Sequence, residues 1–402
     1  MAALDGLKVL DLGQYEAGTS CAQYLAWFGA TVVKVERPGV GDPARSVIGR
    51  GTDSLYFMSF NHNKRSVAIA LDTPEGHELF LQLVRKFDVV VENFSLGTME
   101  GLGLGYDVLK EVNPSLIYGT IKGFGTYGPY SEFRCFDRVA QAAGGSVSVT
   151  GEHDGPPMTP GATFGDTGSG MHCAMGILAA YIQRQRTGKG QLIEIAMQET
   201  IASFMREPMS HREYAPSPIE RRGNRTVSPT DVYPCAGGGD NDYALVFIAT
   251  TRMWDALVGA IGKPELAADP RFATGMERRK HGDELFNEIS AWTLQRTKFE
   301  VMETLGAVGV PCSAVYDSKD ILHDRHLRAR NMIRTVTHPV AGAIEELAPP
   351  IHLSDSNVEM VAAPLLGEHT VEVLAQELGL KADAVNALAA AGVVGVHPGL
   401  AR

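Results

Sequence analysis

Leu7-Lys8-Val9-Leu10-Asp11-Leu12, Gly13-Gln14-Tyr15-Glu16-Ala17-Gly18, then Thr19 to Phe28, Gly29 and Thr31-Val32-Val33-Lys34-Val35 stand near the start of the chain. The first run is short and apolar and reads as a buried strand. The second is a turn. Residues 19–28 read as a helix that Gly29 stops, and 31–35 as a second strand. A strand, a crossover helix and a strand make a β–α–β unit, so the sheet is predicted to be parallel. The first turn offers Gly13 and Gly18 rather than G-x-G-x-x-G, which counts against a nicotinamide enzyme.

The alternation continues outward. Pro74 to Phe87 reads as a helix with Pro at its start and an apolar face at Phe80, Leu83, Val84 and Phe87. Asp88 to Val91 is a strand ending at Glu92-Asn93-Phe94. Val108 to Val112 is helical, and Ser115 to Ile121 is a strand that runs into Lys122-Gly123-Phe124-Gly125. Ligands of such sheets gather at the carboxyl ends of the strands. Glu16, Arg37, Asn93 and Lys122 all fall just past a predicted strand, although each alone also fits a solvated loop residue.

Residues 160–172, Pro-Gly-Ala-Thr-Phe-Gly-Asp-Thr-Gly-Ser-Gly-Met-His, surround one carboxylate, Asp166, with small residues. An apolar segment follows, closed by a basic turn and Gly188, which reads as a helix. Asp166 then sits at a helix N-terminus, where free N–H groups favour negative charge. Two readings stay open on spacing alone: an N-cap aspartate, or a nucleophile approached by substrate across flanking glycines.

Beyond it, residues 191–196 read as a strand and 197–204 as a helix. Residues 211–230 read as an Arg- and Pro-bearing linker. Residues 231–235 and 243–249 form a hairpin around Gly237-Gly238-Gly239, which fits a turn better than a phosphate cradle because no Lys-Ser/Thr follows. Helical patterns fill 252–262 and 282–307, and residues 310–315 read as a strand.

At 402 residues the chain is long for one core, so two domains are expected. The net charge of −11 with no basic run argues against nucleic acid and anionic membrane. Five scattered cysteines without CxxC spacing suggest neither a metal site nor disulfides. No apolar run reaches spanning length, and no charged-then-apolar leader is visible. A cytoplasmic location is expected.

Several of these segments resemble the class III CoA-transferases of the formyl-CoA transferase type. They are residues 12–37, Asn61-His62-Asn63-Lys64-Arg65-Ser66, Thr73-Pro74-Glu75-Gly76, Val91-Glu92-Asn93-Phe94, Val139-Ala140-Gln141, Gly165 to His172 and Arg186 to Gln191. Weaker matches lie at Asp269-Pro270-Arg271-Phe272, Gly309-Val310-Pro311-Cys312, Ala329-Arg330-Asn331-Met332 and Gly367-Glu368-His369-Thr370, so the resemblance spans nearly the whole chain. It implies an α/β fold with a Rossmann-like large domain built from both chain ends (1–210 and 326–402). A smaller α+β domain (231–325) would follow the linker, and two chains would interlock as a homodimer. It implies that coenzyme A and acyl-CoA are substrates, with a small carboxylic acid and no permanently bound cofactor or metal. Asp166 would be the nucleophile, and Gln14 and Glu16 would face the acyl group. CoA contacts would come from Ala17, Arg37, the strip Ile69-Ala70-Leu71-Asp72 beside the adenine, Asn93, Phe94 and Ser95. Arg134 and Asp137 would lie near the pantetheine and phosphates.

The chain departs from that pattern where it matters for the acid. Glu16 replaces a glutamine that binds the small substrate, Asp72 replaces a basic residue, and Gly101 replaces a phosphate-binding arginine. No mobile glycine loop precedes Pro234. Two alternatives to CoA transfer fit the residues less well. An α-methylacyl-CoA racemase needs a His-Asp pair, which here reads Phe136-Asp137, and phenylalanine cannot exchange a proton. A catalytically silent CoA-binding protein would have no use for Asp166 in an intact glycine-rich setting.

Overall fold

The structure, a computed structural model, describes residues 1–47, 53–210, 218–225 and 229–398. Half of the expected linker 211–230, residues 211–217 and 226–228, therefore falls outside the described residues. The elements through the first half are β1 (Lys8–Asp11), α1 (Ala17–Trp27), β2 (Thr31–Glu36), α2 (Leu55–Ser59), β3 (Lys64–Ile69), α3 (Pro74–Val84), β4 (Val89–Glu92), α4 (Thr98–Gly101), α5 (Tyr106–Val112), β5 (Ile117–Lys122), α6 (Asp137–Ala143), α7 (Asp166–Thr187), β6 (Leu192–Ala196), α8 (Met197–Phe204) and α9 (Arg206–Ser210). Then come β7 (Asp231–Pro234), β8 (Tyr243–Val246), α10 (Thr251–Ala260), α11 (Gly275–Lys280), α12 (Gly282–Thr293), α13 (Lys298–Ala307), β9 (Cys312–Ala314), α14 (Ser318–His323) and α15 (Arg325–Ala329). The chain continues through β10 (Ile333–His338), β11 (Gly342–Leu347), α16 (Thr370–Leu378), α17 (Ala382–Ala390) and β12 (Val394–Gly395).

The chain divides into two compact units. The larger comprises residues 1–147, 159–216 and 329–402, and the smaller residues 148–158 and 217–328. Residues 148–158, which the sequence reading left in the large domain, belong with the smaller unit. There Arg221 donates to the Gly155 carbonyl at 2.8 Å, and Gly223 N–H donates to that of Gly151 at 3.0 Å.

A seven-stranded sheet in the order β12-β3-β2-β1-β4-β5-β6 forms the larger unit. Its first six strands in sequence pair in parallel, and β12 adds antiparallel to β3, with Val394 opposite Ile69. Alternate residues sort to opposite faces because the side-chain period of a strand is two. Leu10, Val33, Val35, Val67 and Ile69 pack with Phe80 and Leu83 of α3, Leu109 of α5, Leu374 of α16 and Val385 of α17. Val9, Val32, Val89 and Val91 pack with Cys21 and Leu25 of α1 and Cys173 and Ile177 of α7. Glycine lets the two helices meet: a Cβ on Gly170 would stand 2.6 Å from the Ala17 carbonyl oxygen and 2.8 Å from Ser20 Cβ. Strand order reverses between β1 and β4, so their carboxyl ends splay and open a crevice.

The smaller unit holds the antiparallel sheet β7-β8-β9 and a core around Trp254, Leu257, Phe272, Leu285 and Val301. The glycine run joins β7 to β8 as a hairpin, with Gly237 and Gly238 at positive φ. The helical pattern over 282–307 is divided between α12 and α13. Thr297 and Glu300 form a reciprocal capping box that starts α13 afresh. The strand expected over 310–315 contracts to β9.

Candidate active site

The turn after β1 is held backbone group by backbone group. Asp11 Oδ1 accepts from Gly13 N–H at 2.8 Å, and Lys34 Nζ donates to the Gly13 carbonyl at 2.6 Å. Asn93 clamps Gln14 on both sides: its Oδ1 accepts from Gln14 N–H at 2.8 Å, and its Nδ2 donates to the Gln14 carbonyl at 3.0 Å. Asp42 Oδ1 accepts from Tyr15 N–H at 3.1 Å, and Tyr15 sits at a φ of 57°. Beneath the turn Lys34 pairs with Asp42 at 2.9 Å, and Lys64 with Asp11 at 2.8 Å, all four side chains buried. Burial drags Lys34 down, but Asp11, Asp42 and Glu36 together more than reverse this. For Lys64 burial wins over Asp11 and brings it down to about 8. Removing one partner from such a cluster leaves an uncompensated buried charge, so the network fixes the turn's shape.

That turn ends at Glu16, which is only 1% exposed. Three hydroxyls reach its carboxylate. Thr163 and Thr167 donate to Oε1, and Tyr56 donates to Oε2 at 3.2 Å. Burial raises Glu16 above the usual carboxylate range, and the threonine and tyrosine hydrogen bonds pull the other way without cancelling it. Glu16 neither faces solvent nor pairs with an arginine in these contacts.

Asp166 is the first residue of α7, directly after an N-cap glycine, Gly165, which has no side chain to cap with. The cap comes instead from α6. Asp137 Oδ1 accepts from Gly165 N–H at 2.9 Å and from Asp166 N–H at 3.3 Å, while its Oδ2 accepts from Gln141 Nε2 at 2.7 Å. Burial first, then the charges of Glu16 and Asp137, push Asp166 up to about 7. Helix polarity alone would have lowered it.

Gln14, Glu16, Ala17, Asn93, Phe94, Ser95, Arg134 and Asp166 line one cavity of about 440 Å³. An adjoining hollow of about 230 Å³ is lined by Gln14, Arg37, Ile69, Leu71, Asp72 and Phe94. Arg37 and Asp72, both exposed, form an ion pair at 3.4 Å. Two of the sequence-derived positions line neither space. Ala70 is buried and donates its N–H to the Val393 carbonyl, and Asp137 is spent on the start of α7. Lys122 lines the larger cavity, but its ammonium is bound to both Glu92 oxygens at 2.8 Å and to the Phe94 carbonyl at 2.6 Å. Sequence reasoning missed Tyr56, Thr163 and Thr167. The threonines sit inside the stretch that frames Asp166, so a carboxylate partner for them was open to question; nothing local marks Tyr56.

The profile of CoA-transferase family III matches residues 4–370. The chain belongs to CoA-transferase family III. The transferase is 41% identical over 409 residues to the formyl-CoA:oxalate CoA-transferase of Streptomyces coelicolor, covering 98% of this chain and 99% of that one. It is 39% identical to the enzyme of the same description from Rhodopseudomonas palustris, with 94% of each chain covered. Among solved structures, a CAIB/BAIF family protein from Brucella suis superposes with a TM-score of 0.85 at 32% identity, over 94% of this chain and 99% of that one. Rv3272 from Mycobacterium tuberculosis superposes with a TM-score of 0.79 at 28% identity, over 92% and 98%. No helix among the described residues of the transferase is long and apolar enough to cross a membrane.

Proposed function

We propose that this CoA-transferase moves CoA from an acyl-CoA to a carboxylic acid by covalent catalysis at Asp166. The observation that carries this is a carboxylate on the first turn of a helix, pushed up to about 7, in the cavity between the β1 and β4 turns. A carboxylate of that basicity is a better nucleophile than an ordinary aspartate and is still ionised in slightly alkaline solution. Its oxygen attacks the thioester carbonyl carbon, the C–S bond breaks, and CoA leaves as thiolate. The thiolate then attacks the aspartyl carbonyl of the mixed anhydride, expelling the donor's carboxylate and leaving an aspartyl-CoA thioester. An acceptor carboxylate runs both steps in reverse, restoring Asp166 and giving the new acyl-CoA with no net proton change. Ala17 opens α1 on the cavity wall, where a helix's first N–H groups lack intrahelical acceptors and suit a developing oxyanion.

The adjoining hollow with Arg37, Ile69, Leu71 and Asp72 suits an adenine, and exposed Arg134 suits a phosphate, since guanidinium offers a fixed fork of donors. The curated relatives are described as acting on formyl-CoA and oxalate. In this chain the buried Glu16 carboxylate lines the same cavity as Asp166. A small dianion placed beside it meets repulsion that a low local dielectric strengthens. The preferred acid is therefore a larger monoacid, or a diacid whose far carboxylate is held away from Glu16.

The working form is a homodimer. Met171, Met175 and Ile182 leave an exposed apolar stripe on α7 at helical spacing, which is costly to leave in water. No observation favours a racemase, because residue 136 is an exposed phenylalanine.

The covalent step is tested by incubating the enzyme with acyl-CoA, adding hydroxylamine, and mapping the adduct by mass spectrometry. Modification of Asp166 and loss of turnover in Asp166→Ala are expected. Near-normal turnover in Asp166→Ala refutes the assignment.

A further inference from the structure

We infer that Asp137 is a positioning residue for the nucleophile rather than a contact to CoA: its carboxylate caps α7 from outside the helix and so sets the direction and basicity of Asp166. The inference rests on the assignment of Asp166 as nucleophile. α7 begins with a glycine N-cap that makes no side-chain cap of its own. A helix of 22 residues exposes uncapped N–H groups at its start, and these need an acceptor. Asp137 Oδ1 supplies it twice, to Gly165 and to Asp166 itself. Those two bonds fix the backbone that carries the reactive side chain. Gln141, wholly buried, orients Asp137 in turn by donating to its Oδ2 and to the Ala162 carbonyl at 3.0 Å. Space also requires the arrangement: a Cβ on Gly165 would lie 3.0 Å from Asp137 Oδ1 and 3.2 Å from Ala140 Cβ. Glycine at that position and aspartate on α6 form one device.

The device does two things at once. An uncapped start would leave the helix N–H groups free to stabilise the Asp166 anion and weaken it as a nucleophile, and a neutral cap would occupy them without adding charge. A charged cap consumes the N–H groups and adds a like charge beside the attacking oxygen. Both keep Asp166 basic. The groups that face Asp166 are Glu16 before α1, Tyr56 on α2, Cys135 in the loop before α6 and Asp137, its first residue. Lys122, Glu132 and Arg134 line the same cavity. Burial and Glu16 act on Asp166 more strongly than Asp137 does. This ranks the outcomes of removing each charge.

The test is the pH dependence of kcat/KM for wild type, Asp137→Asn and Glu16→Gln, with KM for acyl-CoA measured in each. Asp137→Asn keeps an oxygen acceptor for the two N–H groups and removes the charge. Its acid limb is expected to move down by ~0.5–1 pH unit, as removal of one nearby like charge does. Glu16→Gln should move it further. The KM for acyl-CoA should stay within about twofold of wild type in Asp137→Asn, and the kcat loss should be largest at alkaline pH, where basicity rather than ionisation limits the rate. Asp137→Ser, which still offers a capping oxygen, replaces the amide variant should that fail to fold. An unmoved acid limb in a folded variant overturns the inference. So does a loss that appears only as a raised KM for acyl-CoA, which would return Asp137 to the CoA site. Hydroxylamine trapping on the same preparations separates the two hypotheses: absence of label on Asp166 in wild type defeats the nucleophile assignment, whereas label there with an unmoved limb defeats only the role of Asp137.

Discussion

Replacing Asp166 by asparagine should abolish transfer and make the protein more stable at alkaline pH. The side chain is partly buried, with Glu16 and Asp137 nearby, and its carboxyl is pushed up to about 7 from an ordinary value of 3.8. A folded-state value above the unfolded one means that the native state binds the proton more tightly. The site's contribution to stability is then greatest below about pH 4 and declines as pH rises to about 7, beyond which the cost of holding the anion is complete. At ~1.4 kcal/mol per pH unit the gap is worth roughly 4 kcal/mol, and partial exposure to water brings this to roughly 2–4 kcal/mol. Asn is isosteric and neutral, so Asp166→Asn should recover most of it. With an unfolding entropy of about 2.1 cal/mol/K per residue, the cooperative unfolding of a chain this long converts that to a rise in Tm of ~2–5 °C at pH 8.5. Thermal melts of the two proteins between pH 4.5 and 8.5 measure it directly. The Tm difference should shrink steadily toward the acid end. Equal melting temperatures at pH 8.5, or a difference independent of pH, would refute the reasoning that the nucleophile is held as an unfavourable anion.

The acid pocket and the assembly can be tested in the same way. Glu16→Gln should raise the rate with oxalate as acceptor by about tenfold or more relative to a larger monoacid, since one desolvated like-charge contact is worth ~1–2 kcal/mol, with little change in KM for acyl-CoA; an unchanged ranking across a panel of acids would leave acyl shape alone to define the pocket. Sedimentation at low micromolar concentration should give twice the chain mass, and a stable, active monomer would rule out the proposed dimer.

The parallel sheet was legible where strands are apolar and a helix-period run follows, so β1, β2, β4 and β5 fall close to where the pattern places them, whereas β3, which opens with Lys64-Arg65-Ser66, was not read as a strand. Asp166 was legible for a similar reason: glycines and a long apolar run mark a helix start. What was hidden depends on contacts far apart in sequence. β12 is two residues long and carries no pattern of its own. Glu16 meets hydroxyls from α2, from the loop before α7 and from α7 itself, and no local spacing links these. The resemblance placed Asp137 beside CoA, whereas the structure spends both its oxygens on Gly165, Asp166 and Gln141. One local clue existed: a helix opening on glycine must borrow its cap. The break at Thr297 was also readable, since Thr-x-x-Glu is a start signal even inside a longer apolar pattern.

The pairing of β12 with β3 sets a timetable for biosynthesis. Val394 lies opposite Ile69, so the outer edge of β3 waits for residues made roughly 300 positions later, after the whole of the smaller unit has emerged. At ~5–20 residues per second that interval is about 15 s to a minute. Throughout it the nascent chain presents the apolar end of β3, Val67-Ala68-Ile69, with unpaired N–H and C=O groups, a template for pairing with a neighbouring polypeptide on the same message. The ribosome-bound intermediate, rather than the finished enzyme, is the stage at which this protein has most need of a chaperone.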